Sequence, residues 1–165
     1  MLPQLAFILN LIATWYMVGL IWMVQIVHYN LFDRVGSDVF AAYEADHNRL
    51  ITPIVGLPML VEIATAAYLC FNAPEGTTRN SMIAGMVMLG LIWISTAALS
   101  VPYHGKLMHG FDADAYRGLV STNWIRTILW TARGLLWHGV CGEWCVPRQT
   151  DRSNRLFELL RMRGL

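Results

Sequence analysis

Three of the five histidines occur at the ends of apolar stretches. His28 ends the first stretch, His47 precedes the second, and His104 follows the third. Since consecutive membrane spans run in opposite directions, these side chains are predicted to meet at one end of the molecule. Neutral imidazole is a common ligand of zinc, copper and iron, and two histidines from different helices can ligate a haem axially.

Glu44 adds a carboxylate to this predicted histidine site. It precedes His47 by three residues, so on a helix the carboxylate can orient the imidazole ring or share its metal. We therefore predict a metal site formed by His28, His47, His104 and Glu44. The alternative is that these are interfacial histidines in an aromatic belt with their neighbours Tyr29, Tyr43 and Tyr103, since spacing across three loops is not a specific metal signature.

Two charges inside apolar stretches, Glu62 and Arg133, are predicted to pair. Each lies about 12 residues from the same end of its stretch, which places both at a depth of roughly 18 Å. A charge inside a membrane is costly and normally faces the bundle interior with a partner. The pair is interpreted either as a structural link between the second and fourth helices, or as part of a proton relay or anion site.

Arg126 lies on the same helical face as Arg133 and has no obvious carboxylate in its own stretch. Glu44 can neutralise it, as can an anionic ligand such as a haem propionate, a lipid phosphate or a carboxylate substrate. Trp130 shares this face, and Gln25 falls on the inward face of the first helix. The predicted cofactor-binding residues are therefore Gln25, Arg126, Trp130, Glu62 and Arg133.

A second cluster, Cys70, His138, Cys141 and Cys145, is predicted near the opposite end of the helices. The last three fall on one side of a helix, and Cys70 nearly ends the second apolar stretch. Four such ligands can hold zinc or an iron–sulfur cluster. The spacing lacks the usual C-x-x-C pair, so buried reduced cysteines that act as small hydrophobic residues are the favoured interpretation.

The composition indicates that lipid is the solvent of this chain. Hydrophobic residues make up 56% of the 165 residues and charged residues only 14%, with a mean hydropathy of +0.44. A soluble domain carries about 25% charged residues, and a chain this short leaves much of its surface exposed. The formal net charge of +1 provides no basic field, so no nucleic-acid partner is expected.

Four apolar stretches are long enough to cross a bilayer, which requires roughly 20 residues. We predict an all-α fold, an integral membrane four-helix bundle in residues 1–147. A short amphipathic helix is predicted in the first loop, starting from a Ser37 N-cap and running through Asn48 into the second span, and a basic amphipathic tail is predicted in residues 148–165. The predicted spans cover approximately residues 5–29, 50–71, 81–102 and 119–142.

The distribution of Lys and Arg predicts the orientation of the chain. The C-terminal tail is rich in arginine, so both termini are expected in the cytoplasm and the histidine site on the outer side. The first stretch has no basic residue before Arg34 and exceeds the core of a signal peptide in length, so we expect it to be retained as a helix. These features favour a multi-pass protein of a bacterial inner membrane, with the lipid bilayer as its partner.

Five strings carry a resemblance to a known group of proteins: Trp22 to Phe32 (WMVQIVHYNLF), Tyr43 to His47 (YEADH), Pro58 to Glu62 (PMLVE), Trp93 to Thr96 (WIST) and Asn123 to Gly134 (NWIRTILWTARG). They resemble uncharacterised bacterial four-span membrane proteins over about residues 13–136. The resemblance implies the same bundle and no assigned activity. A looser similarity of plan links the chain to bacterial haem-binding protoporphyrinogen oxidases, whose lysine-bearing pattern it lacks.

The sequence does not indicate a reaction, and whether the protein is an enzyme stays open. The leading hypothesis is an inner-membrane protein whose outer-face histidine site binds a metal or haem for redox chemistry. A second hypothesis is a non-catalytic accessory or scaffold subunit of a larger membrane complex, docked through the basic tail. A third is a homo-oligomeric carrier of a small anion, since four spans without a repeat would need an oligomer for transport.

Overall fold

The computed structural model describes residues 1–145, and for residues 143–145 it describes the backbone alone. That part of the chain is all-helical and contains no strand. The predicted basic tail, residues 148–165, lies outside the described residues. Four long helices follow one another: α1 (Leu2–Arg34), α2 (Phe40–Phe71), α3 (Arg79–Leu107) and α4 (Ala113–Cys145).

Local capping and glycine turns set the helix boundaries. Thr78 begins α3, since its hydroxyl oxygen accepts a hydrogen bond from the backbone N–H of Ser81 at 3.2 Å. Asp112 does the same for α4, with 2.6 Å from its carboxylate to the backbone nitrogen of Ala115. The turns before these two helices contain Gly76 and Gly110, whose positive φ angles of 84° and 130° favour glycine.

The predicted first-loop helix is continuous with the second span, as expected, but it begins later than predicted. The structure begins α2 at Phe40 rather than at Ser37 and continues it without a break to Phe71. Its N-cap residue, Val39, makes no side-chain capping bond, so the predicted serine cap is wrong. Pro53 and Pro58 lie inside this long helix, where each lacks the N–H that would continue the backbone ladder.

Three of the four helices, α1, α2 and α3, are long and apolar enough to cross a membrane. The length and hydropathy of these three helices indicate that the chain is a membrane protein. Helix α4 has sufficient length, but its sequence is more polar and includes Arg126 and Arg133. Its composition therefore does not by itself make it a fourth span, although its two arginines are buried against the other helices.

The helices pack so that α1 and α3 each contact both α2 and α4. Their shared interior alternates between apolar and polar layers along the helix axes. Apolar clusters centred on Phe7 and Trp137, on Met17 and Ile92, and on Phe32 and Phe40 follow one another from one end to the other. One polar layer lies on each side of the middle cluster, and these layers contain the predicted site residues.

Candidate functional site

Two π-helical turns precede the residues that form the polar layer at the histidine end of the molecule. In α1, residues Val24–His28 form a π turn, and residues Tyr29–Arg34 then tighten into a 3₁₀ helix. In α3, residues Thr96–Ser100 form a second π turn before the last α-helical segment. A π turn adds a residue to an α-helix and rotates the residues after it, and such turns are frequent at functional sites.

A chain of hydrogen bonds joins the four long helices at this end. The Nη2 atom of Arg126 on α4 donates to the hydroxyl oxygen of Tyr29 on α1 at 3.4 Å. That hydroxyl lies 3.1 Å from Nε2 of His104 on α3. The other ring nitrogen, Nδ1, lies 2.5 Å from the Oε1 atom of Glu44 on α2. With Glu44 included, all four long helices contribute to one continuous polar chain, which we call the relay.

Amide side chains hold both ends of the relay. Asn48 donates to Glu44 Oε1 at 3.0 Å. Asn123 accepts from Arg126 and donates to Gln25 Oε1 at 2.8 Å. Gln25 in turn donates to the backbone carbonyl of Val120 at 3.2 Å. Gln25, predicted to bind a cofactor, thus serves to orient Arg126 through an amide of the neighbouring helix.

The other two predicted histidines form a pair beside the relay. Nε2 of His28 lies 2.9 Å from Nδ1 of His47. The ring centroids of these two histidines are 4.6 Å apart, and those of His47 and His104 are 5.4 Å apart. The structure therefore brings His28, His47, His104 and Glu44 together, as the order of the helices requires.

The arrangement of these residues does not support the predicted metal site. No group of three or more His, Cys, Asp or Glu side chains within residues 1–142 is placed to hold a metal ion. The reason is that the donor atoms are turned towards one another. The two ring nitrogens of His104 face Tyr29 and Glu44, and one nitrogen of His28 faces His47.

A second polar layer lies deeper in the interior and contains the predicted pair Glu62 and Arg133. Both side chains are completely buried and form an ion pair. Arg133 also donates to Thr14 Oγ1 at 2.7 Å, to Asn10 Oδ1 at 2.9 Å and to the carbonyl of Gly85 at 3.0 Å. Each nitrogen of the guanidinium group therefore has a partner, which is the condition for a stable buried charge.

Trp130 lies in the apolar cluster between the two polar layers. Its indole N–H donates to Glu62 Oε2 at 3.0 Å, so the second carboxylate oxygen is also paired. The same ring forms part of the wall of a cavity that leads to the relay. Trp130 therefore positions Glu62 and in addition provides an apolar surface for anything that occupies the cavity.

The cavity lies between α2 and the second half of α3 and has a volume of about 270 Å³. Most of its wall is apolar, with side chains from all four helices, among them Ile21, Val55, Met59, Trp93 and Trp130. At its polar end it is lined by Tyr29, His47, Asn48, His104 and Arg126. Thr52 and Val101, which lie on opposite rims, are exposed, so the cavity opens sideways between the two helices.

Two buried donors in the wall of this cavity have no hydrogen-bond partner in the described structure. They are Nε of Arg126 and Nε1 of Trp93. The Arg126 side chain is a buried cation, with 6% of the residue exposed, and no carboxylate within residues 1–142 pairs with it directly. Leaving a buried donor without a partner costs about 1–3 kcal/mol. An acceptor oxygen that reaches either donor would remove that cost.

The predicted cysteine cluster is not assembled within the described residues. Cys70 directs its thiol to the carbonyl oxygen of Met82 at 3.9 Å, and His138 is exposed. The side chain of Cys145 lies outside the described residues. Cys70 and Cys141 are both partly buried, which agrees with the favoured interpretation of cysteine as a small hydrophobic residue.

Three residues of the relay region, Tyr29, Asn48 and Asn123, are not among the site residues predicted from the sequence. Tyr29 is assigned by its position to an aromatic belt, but the structure buries it between Arg126 and His104. Asn123 is buried between Arg126 and Gln25. The sequence contains a signal from which Asn123 could have been predicted. Asn123 precedes Arg126 by three residues on the same helix face, and a polar amide inside an apolar stretch normally faces the interior.

Comparison of the chain with models of protein families, with curated proteins and with solved structures found no match.

Proposed function

We propose that this protein crosses the membrane four times and binds an amphiphilic molecule in the cavity between α2 and α3. The observation that carries the proposal is the buried Arg126, whose Nε has no partner although the residue lines a mostly apolar cavity. A ligand that suits this wall has an apolar body and an oxygen that accepts a hydrogen bond. Pockets for small molecules are typically of this kind, apolar with a few converging polar groups.

The surface of α4 supports its role as a fourth span. Its exposed side chains near the middle of the helix include Ile125, Ile128 and Leu135, whereas Arg126 and Arg133 are buried. A helix that directs its charges inward and its apolar residues outward is suited to lipid. The low overall hydropathy of α4 then reflects the polar layers that it helps to build.

The sideways opening of the cavity supports a ligand that arrives from the bilayer. The rim residues Thr52 and Val101 lie on helices that are apolar enough to span a membrane. A membrane amphiphile can enter between these helices without leaving the lipid phase. We further propose that the relay end faces the outer side of a bacterial inner membrane, with both termini in the cytoplasm.

The test is to identify small molecules that remain bound after purification. The protein is extracted in mild detergent, and its organic extract is compared by mass spectrometry with that of the parent membrane. We expect a single class of oxygen-bearing amphiphile to be enriched in near-stoichiometric amount. The Arg126→Met variant should lose this enrichment by about tenfold or more, as expected when a charged donor is removed.

Arg117→Met is the matched control, because Arg117 lies on the same helix but is exposed and pairs with Asp114 at the surface. It should retain the ligand. Enrichment of nothing beyond bulk lipid, or equal enrichment in Arg126→Met, would refute the proposal. If a larger protein co-purifies in stoichiometric amount and no small molecule is enriched, the accessory-subunit hypothesis is favoured.

A metal or haem is the second candidate, favoured by the close approach of three histidine rings from three helices. Rotation of the His47 and His104 rings away from their present neighbours would be required to form it. Elemental analysis and an absorption spectrum of the same purified sample test this candidate. A stoichiometric metal or a Soret band that is lost on His28→Ala, His47→Ala and His104→Ala would support it.

A further inference from the structure

The relay has one hydrogen-bond direction when the His104 ring carries a single proton. Arginine carries only donors, so Tyr29 accepts from Arg126 and its own O–H remains available for His104 Nε2. With a neutral imidazole, His104 Nδ1 then carries the hydrogen that it donates to the carboxylate of Glu44. In this assignment one hydrogen atom lies in each of the three contacts. Each donor precedes its acceptor in the order from Arg126 to Glu44.

This direction determines the charge balance at the cavity. The relay begins at a cation, Arg126, and ends at an anion, Glu44, with two neutral rings between them. The groups on the far side of Arg126, Asn123 and Gln25, are neutral amides. The buried charge of Arg126 is therefore already balanced by Glu44, although the two side chains are not in direct contact.

An anionic ligand would disturb this balance. A carboxylate or phosphate at Arg126 would add a second negative charge to an interior that already contains Glu44. Removing such a group from water is costly unless a cation compensates it, and the one cation of the relay is committed. An uncharged carbonyl oxygen meets no such penalty, and Arg126 and Trp93, each with a buried donor that lacks a partner, both line the cavity.

We infer that the ligand of this cavity is an uncharged amphiphile with a carbonyl oxygen, such as a quinone, a ketone or an ester, and that Glu44 excludes anions from the site. The inference rests on the proposed function, because it specifies the chemical class of the molecule bound in the cavity. It concerns binding alone and assigns no reaction to the ligand.

The experiment compares two probes with similar chains and different head groups. These are 11-bromo-2-undecanone, a neutral ketone, and 10-bromodecanoate, an anion. Bromine quenches indole fluorescence at close range, and Trp93 and Trp130 line the cavity. Binding to the purified full chain is read as quenching that an excess of the same unbrominated probe reverses. The wild-type protein should bind the ketone about tenfold more tightly than decanoate, or more.

The Glu44→Gln variant tests the source of this selectivity. Loss of the negative charge leaves Arg126 unbalanced, so decanoate should gain about tenfold in affinity relative to the ketone. Glu75→Gln removes the same charge from an exposed position in the loop between α2 and α3, and it should leave the ratio unchanged. Gel filtration establishes that each variant remains folded.

The outcomes separate the inference from the proposed function. If decanoate binds to the wild type as tightly as the ketone, the site is not selective and the inference fails, while the proposed function stands. If folded Glu44→Gln binds the ketone but keeps the wild-type ratio, Glu44 does not exclude anions. If neither probe binds, both fail. If Glu44→Gln does not fold, the ratio of the wild-type affinities for the ketone and for decanoate decides the ligand class by itself.

Discussion

Arg133 reaches from α4 across the interior to Glu62 on α2, and both side chains are completely buried. These two helices each pack against α1 and α3, so the ion pair spans the interior diagonally. Thr14 and Asn10 on α1 and the carbonyl of Gly85 on α3 complete the partners of the guanidinium group. One charged group therefore connects all four helices at a single level.

Removal of one member of this pair should be severely destabilising. Glu62→Ala leaves Arg133 buried without a counter-ion, and breaking a buried pair in this way costs about 3–5 kcal/mol. Replacement of both residues by methionine should cost much less, because no buried charge remains. Thermal unfolding in detergent, monitored by circular dichroism, measures the difference. A Glu62→Ala variant as stable as the wild type would show that the pair does not stabilise the fold.

Gly85 should not tolerate a larger side chain. A Cβ atom at this position would lie 2.5 Å from two atoms of the buried Trp137 ring. We expect Gly85→Ala to lower the free energy of unfolding by about 1–3 kcal/mol through overpacking. Gly90→Ala on the same helix is the control, since its Cβ meets nothing within 4 Å. Equal melting temperatures for the two variants would contradict the packing that the structure shows.

Tyr29→Phe should weaken the relay without changing the shape of the core. The hydroxyl group links Arg126 to His104, and its loss leaves a buried donor and a buried acceptor without partners. The expected destabilisation is about 1–3 kcal/mol. Tyr16→Phe on the same helix removes an exposed hydroxyl and should have little effect. Denaturant titration of both variants provides the comparison, and a neutral Tyr29→Phe change would argue against a continuous relay.

Labelling of single cysteines should reveal the path of the chain through the membrane. In a protein with Cys70, Cys141 and Cys145 replaced by serine, we expect Asp38→Cys and Asp112→Cys to react from one side. Glu75→Cys should react from the other side, because α2 and α3 separate these positions. An impermeant maleimide applied to intact cells and to inverted vesicles distinguishes the two. Reaction of all three positions from the same side would exclude four membrane crossings.

The sequence predicts which helices exist but not how each is rotated. The length of the apolar stretches is sufficient to predict α1, α2 and α3, because a helix that crosses lipid requires little beyond length and hydropathy. The order of the helices is likewise sufficient to place His28, His47 and His104 at one end. The start of α2 at Phe40 could not be read from capping preference, because no side chain caps that helix.

The roles of individual site residues depend on contacts that sequence periodicity does not encode. Tyr29 is the last residue of the predicted first span, where an interfacial position is the ordinary expectation. A π turn over Val24–His28 changes its direction and buries it. The partners of the imidazole nitrogens likewise depend on side-chain orientation, which the sequence does not reveal. The metal prediction is not supported because these nitrogens face one another and other side chains.

The two π turns make the candidate site sensitive to chain length rather than to side-chain chemistry alone. Each turn accommodates one more residue than an α-helical turn over the same rise, and one residue corresponds to a rotation of about 100°. Deletion of a single residue from Val24–His28 would let α1 relax to a regular helix. Because the π turn contains the extra residue, Tyr29 would keep its direction after this deletion, whereas deletion of one residue from the α-helical part of α1 before Val24 would rotate it by about 100°. Substitution scans would miss this dependence, whereas a scan of one-residue deletions would expose it.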